Sequence, residues 1–162
     1  MKRKLAIILW FTFLIAGCTT SQSDIAQWKK GETEAWNAHD VEKVLSYYAD
    51  DCIYEDLAAQ KINRGRDEIS VFVENAFKGF PDLKIETKNI FISGDYVCSE
   101  FIWGGTYMAD IPGLPPANGK SFSVRGAHIV KLRGDKAISI TDYYDGASMM
   151  QQLGLLPSTL VP

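Results

Sequence analysis

The strongest constraint on how this chain folds is a change of hydrophobic period at Leu83. Before it, apolar residues recur at helical spacing; after it, they alternate every second residue. Ile25, Trp28, Ala35 and Trp36 mark a first helix with Ser23 or Asp24 as its cap. Asp40 caps a short second helix whose Val41, Val44, Leu45 and Tyr48 share a face. Cys52 to Leu57 reads as a strand. Gly65 to Phe77 is a third helix, striped by Ile69, Phe72, Val73, Ala76 and Phe77 and stopped by Gly79-Phe80-Pro81-Asp82.

Beyond the switch, Leu83–Ile92 and Tyr96–Met108 form a hairpin around Ser93-Gly94-Asp95. Ser121–Leu132 and Ala137–Tyr144 form another around Arg133-Gly134-Asp135-Lys136. Between the hairpins, Ala109–Lys120 carries three prolines and two glycines and is a loop. Gly146–Leu153 is a short last helix, capped by Asp145 and ended by Gly154 and Pro157. Helices first and an antiparallel meander afterwards predict an α+β layer fold, with N-terminal helices packed on a curved sheet that encloses an apolar pocket.

The N-terminus differs in kind. Lys2, Arg3 and Lys4 precede an uncharged run, Leu5–Gly17, too short to span a bilayer, and Cys18 follows. Leu14-Ile15-Ala16-Gly17-Cys18 resembles the lipobox of bacterial lipoproteins, which implies a signal peptide over 1–17 and lipidation of Cys18. Residues 18–23 are then the lipidated cysteine and a polar tether, 24–157 the domain and 158–162 a tail. Thr19, where a retention signal would carry Asp, points by resemblance to the outer membrane. The expected location is the cell envelope, facing the periplasm or exterior and held to the membrane by lipid.

Charge bears on partners. Seventeen basic against twenty acidic residues give −3, which excludes a basic stripe for nucleic acid. Removing residues 1–17 takes three basic residues and no acidic ones, leaving fourteen against twenty and a net −6. Cys52 and Cys98 then remain, able to pair in an oxidising compartment or to stay free thiols, the latter being the preferred reading. No Cys/His spacing suggests a metal.

Alternation assigns faces to the last two strands. Ile138, Ile140, Asp142 and Tyr144 share the apolar side, so Asp142 lies where a lone carboxylate is expensive to ionise. It acts there as a general acid or base, pairs structurally with an Arg or Lys, or sits at a fraying strand end. Phe122, Val124, Gly126, His128, Val130 and Leu132 share a face, making His128 an inward histidine able to orient Asp142. Gly126 on that face either leaves room for a ligand or bends the strand. Phe101 and Trp103 supply apolar wall; Tyr54 and Asp56 reach the pocket mouth. His39 lies in a turn and is expected to be solvated.

Gly104-Gly105-Thr106, Pro112-Gly113-Leu114-Pro115-Pro116, Gly119-Lys120, the inward His128, Asp142, and Gln152-Leu153-Gly154 together resemble the SnoaL-like polyketide cyclase family. The resemblance spans roughly residues 24–157 and implies the cone-shaped nuclear transport factor 2-like fold with a deep apolar cavity. It implies cofactor- and metal-free acid–base chemistry on a small apolar carbonyl compound: proton abstraction with aldol-type ring closure or isomerisation. Asp142 falls on the family's catalytic acid/base and His128 on its pocket histidine. His128 or Tyr54 would bond the enolate oxygen, with Asp56, Phe101, Trp103, Gly126 and Tyr144 as further substrate contacts. The family's pocket glutamine falls on Gly126 and its first-strand asparagine near Tyr54, two departures from the pattern. The resemblance also implies a homodimer formed through the outer sheet face. The competing reading is a non-catalytic ligand-binding envelope lipoprotein in which Asp142 and His128 only satisfy each other. Epoxide or ester hydrolysis would need an Asp–Arg–Asp relay, and Arg125 faces the wrong side.

Overall fold

A computed structural model describes residues 21–157. The leader, Cys18 and the tail 158–162 lie outside the described residues. Helix α1 runs Gln22–Asn37, and its cap is Ser21, which forms a capping box with Asp24. The helix therefore begins within the segment expected to be tether, because Ser21 and Asp24 satisfy each other's backbone N–H groups. Helix α2 (Val41–Leu45) starts at Asp40, whose carboxylate accepts from Lys43 N. Strand β1 (Tyr48–Asp56) begins four residues before its expected start. It turns into β2 (Lys61–Arg64), a strand too short and too mixed in polarity to show alternation. Helix α3 is Gly65–Gly79.

Strands β3 (Lys84–Ser93), β4 (Tyr96–Thr106), β5 (Ser121–Arg133) and β6 (Lys136–Tyr144) form the meander, and helix α4 is Gly146–Gln152. The order β2-β1-β6-β5-β4-β3 makes a curved, unclosed six-stranded sheet. Its pairings are antiparallel except one: β1 lies parallel to β6, with Asp56 opposite Asp142. That pairing brings the first strand beside the last and adds one parallel ladder to the antiparallel meander. Helices α1 and α3 pack on the concave side against β3 and β1. The core is formed there by Ile25, Trp36, Ile69, Val73, Val97 and Val130 with their neighbours.

Three local departures have clear causes. Strand β4 stops at Thr106, and Tyr107, fully buried, anchors the proline loop. Its hydroxyl donates to Pro115 O (2.7 Å) and accepts from Ile111 N (3.3 Å). In β6 a bulge moves Ala137 into the core and leaves Ile138 half-buried, reversing their expected faces. The register passes from Lys131↔Ser139 to Leu132↔Ala137 and skips Ile138. His39 is half-buried: its ring stacks on Phe77 (4.7 Å) and Nε2 meets Leu83 O at 2.9 Å. Asp145 caps α4 as expected, accepting from Ser148 N at 2.9 Å. Gln152 clamps α4 to β5 through both backbone groups of Ser123, and Gly154 ends the chain's last turn with φ +69°. Cys52, on the inner face of β1, and Cys98 on β4 are free thiols.

Candidate functional site

A cavity of about 100 Å³, partly open to solvent, lies between α1, α3 and the concave sheet. Alternation on β4, β5 and β6 puts Phe101, Trp103, His128, Asp142 and Tyr144 on its wall; β1 adds Asp56. Trp103 packs edge-on against Phe122 and Tyr144, and Phe101 edge-on against His128. The lining is largely aromatic and aliphatic with a few convergent polar groups, the usual composition of a small-molecule site.

Asp142 is the centre of those polar groups. Tyr54 donates its hydroxyl proton to Asp142 Oδ2 in a short hydrogen bond. Burial, and then the Asp142 charge, hold the Tyr54 phenol well above its usual range, so it is a permanent donor. Asp142 Oδ1 has no hydrogen-bond partner and lies 3.5 Å from His128 Nδ1. His128 and Asp142 are directly opposed across β5 and β6, which fixes this pairing by register. His128 Nε2 and Trp103 Nε1 are likewise buried without partners. Buried polar atoms are normally satisfied, so unpaired ones on a cavity wall mark where a ligand's polar atoms can bind.

Tyr54 stands behind Asp142 and does not line the cavity, and its proton is already committed. The free donor for a ligand oxygen is therefore Trp103 Nε1, and His128 Nε2 is free to donate or accept according to its tautomer. Gly126 does not open space for a ligand. A Cβ there would lie 2.7 Å from the Phe101 ring and 2.7 Å from Tyr143 O, so the aromatic ring fills the room the glycine leaves. Asp56 is buried; its Oδ1 accepts from Ala59 N (2.8 Å) and Oδ2 from the Tyr144 hydroxyl (3.1 Å). Burial raises its carboxyl above the ordinary aspartate range, with the neighbouring Asp142 charge adding to the effect.

Two wall residues escaped the sequence reading. Lys29 and Glu32 of α1 are buried and joined at 2.7 Å. Glu32 also accepts from the Tyr48 hydroxyl (2.9 Å), which accepts from Trp36 Nε1 (2.9 Å). Burial would raise the Glu32 carboxyl, but Lys29 and the hydrogen bonds outweigh it and hold it below the usual range. The signal was present: both residues occupy the stripe shared by Ile25 and Trp36, where charge is unexpected. Among the described residues no cluster of His, Cys, Asp and Glu is arranged to hold a metal ion.

A second, outer groove adjoins the cavity and shares Asp56, Phe72, Ala76 and Tyr144 with it. Ile111 and Leu114 of the proline loop and Met149 and Met150 of α4 line this groove, so the inner cavity opens to solvent past Asp56 and Tyr144.

Several solved structures share this architecture. TsrD from Streptomyces laurentii superposes with a TM-score of 0.75 at 19% identity, covering 85% of this chain and 99% of that one. A protein of ketosteroid isomerase-like fold from Catenulispora acidiphila, solved with trimethylamine, gives 0.69 at 26% identity over 84% and 98%. IdmH from Streptomyces antibioticus, a candidate polyketide cyclase, gives 0.66 at 23% over 80% and 97%. No curated protein matches the sequence. The sequence profile of one family matches residues 28–153, the segment that contains the C-terminal part of α1, the whole sheet and every cavity residue described above. The chain belongs to the SnoaL-like polyketide cyclase family.

Proposed function

We propose that the protein binds a small apolar carbonyl compound and removes a proton from the carbon next to the carbonyl, leading to aldol-type ring closure or isomerisation. The observation that carries this reading is Asp142 Oδ1, an unpartnered carboxylate oxygen in a mostly apolar cavity, with Oδ2 held by Tyr54. A base must reach the carbon-bound proton, and Oδ1 is the oxygen left free to do so. As the proton leaves, negative charge develops on the carbonyl oxygen. Preorganised donors are most effective there; Trp103 Nε1 supplies one, and His128 Nε2 supplies a second in the tautomer that carries its proton there. Phe101 and Trp103 hold the apolar body of the ligand. All these groups belong to the protein, and the steps require no cofactor.

Deuterium uptake from D2O into 2-tetralone, followed by NMR, tests the chemistry. Wild type should accelerate exchange, and Asp142→Asn should lose that acceleration while keeping its near-ultraviolet circular dichroism. A wild-type rate no faster than exchange without protein would identify a binding protein without acid–base activity, and equal acceleration by both proteins would remove Asp142 from the role of base.

The same proposal places the domain on the cell envelope, anchored through lipid on Cys18. Its support is the basic leader, the short apolar run and the box ending at Cys18. No helix among the described residues is long and apolar enough to cross a membrane. Metabolic labelling with a fatty acid should mark wild type and not Cys18→Ala; label retained by the variant refutes the anchor.

A further inference from the structure

Asp56 and Asp142 form a reciprocal pair. They are direct partners in the parallel β1–β6 ladder, so their side chains leave the same face of adjacent strands. Tyr54, two residues before Asp56, donates to Asp142; Tyr144, two residues after Asp142, donates to Asp56 at 3.1 Å. Each strand thus supplies one carboxyl and the tyrosine that holds the other strand's carboxyl. Both aspartates line the inner cavity, but their settings differ. Asp142 sits beside His128 with a free oxygen. Asp56 has both oxygens engaged and also lines the outer groove, where it can exchange protons with solvent.

Two adjacent carboxyls resist ionising together, so their environments separate an acid role from a base role. We infer that Asp56 is a second catalytic residue, the general acid that protonates the oxygen formed when the ring closes. This rests on the proton-abstraction reading above. In the cycle, Asp142 Oδ1 takes the proton from carbon, and the C–H electron pair becomes the enolate. The enolate carbon bonds to the second carbonyl carbon, whose π pair moves to its oxygen. Asp56 gives that alkoxide its proton. One proton has then left carbon for Asp142 and one has left Asp56 for oxygen. Asp142 releases its proton to solvent, and Asp56 regains one at the groove, once product departs. Burial and the Asp142 charge raise the Asp56 carboxyl against the opposing hydrogen bonds from Ala59 N and the Tyr144 hydroxyl, the direction this step needs.

The test uses 2,6-heptanedione, a soluble diketone able to close intramolecularly, and reads two events separately: deuterium uptake at its α-carbons and appearance of the cyclic product. Wild type should do both. Asp142→Asn should lose both. Asp56→Asn, which retains an acceptor for Ala59 N, should slow ring closure about 100-fold more than it slows deuterium exchange, the usual contribution of a general acid. Tyr144→Phe supplies a pH readout. The charged and titratable groups around Asp56 are Asp142 and Tyr144 on β6, Lys61 opposite it on β2, and Lys29, Glu32 and His128 across the cavity. Losing the Tyr144 hydroxyl removes a donor to the Asp56 anion. The pH at which ring closure declines should therefore rise.

Ring closure at the wild-type rate in Asp56→Asn overturns the acid assignment alone. So does loss of exchange and closure together in a folded Asp56→Asn, or an unmoved pH limb in Tyr144→Phe. Absence of exchange in the wild type overturns the proton-abstraction reading, and this inference with it.

Discussion

Lys29 and Glu32 are about as buried as the aliphatic residues around them, at 2% and 4% exposure. Taking two charges out of water costs several kcal/mol per ion, recovered only when the pair is close and its remaining groups are bonded. The 2.7 Å contact and the Tyr48–Trp36 chain meet that condition. Lys29→Met or Glu32→Gln alone should cost about 3–5 kcal/mol in urea unfolding, because each strands a partner in the cavity wall. The double variant Lys29→Met/Glu32→Leu should recover most of that loss; equal losses in all three would show that the residues are not coupled. The pH dependence follows from the lowered Glu32 carboxyl. A carboxyl depressed on folding stabilises above its ordinary range and stops doing so as pH falls through its folded value, so Glu32→Gln should flatten the acid limb of stability. At this scale the sequence was legible for Asp142 and His128, because period-two alternation assigns a face. It was illegible for the Tyr54–Asp142 and Tyr144–Asp56 bonds, whose partners lie 88 residues apart.

The elements are set by short-range rules, and their deviations occur where packing overrides them. The Ser21–Asp24 box, the Asp40 and Asp145 caps and the Gly94 and Gly134 turns are written locally. The bulge that skips Ile138 and the end of β4 before Tyr107 are not, since each depends on what a neighbouring segment demands. Gly126 belongs to the second kind. Its missing side chain admits the Phe101 ring from the adjacent strand, whose register partner it is. Gly126→Ala should cost about 1–3 kcal/mol in urea unfolding, since one of the two clashes is with backbone and cannot relax by rotation. The same substitution should push Phe101 towards the cavity and shift the His128 ring resonances in NMR. An unchanged His128 spectrum would show that the ring has other space to occupy.

The sheet turns one face inward and leaves the other exposed, with large apolar side chains among its polar ones. Phe91, Tyr96, Ile129 and Tyr143 are each more than two-fifths accessible on that outer side. We propose this face as the homodimer surface, since large apolar side chains exposed on one side of a sheet mark a candidate interaction site. Ile129→Asp should convert a dimer into a monomer in sedimentation velocity without loss of the near-ultraviolet spectrum; a wild type that sediments as a monomer refutes the assignment. By itself the sequence determined the order of the helices and of every strand but β2, the inward faces of β4 and β5 and the placing of Asp142 on a buried face, because side-chain period and capping chemistry act over a few residues. It also carried the family resemblance through its proline loop and Gln-Leu-Gly ending. Only the tertiary structure decided that β1 lies parallel to β6, that Asp56 stands beside Asp142 with crossed tyrosines, and that Lys29 and Glu32 join the cavity wall. Those contacts depend on which distant segments share the core, and burial energy summed over the entire chain makes that choice.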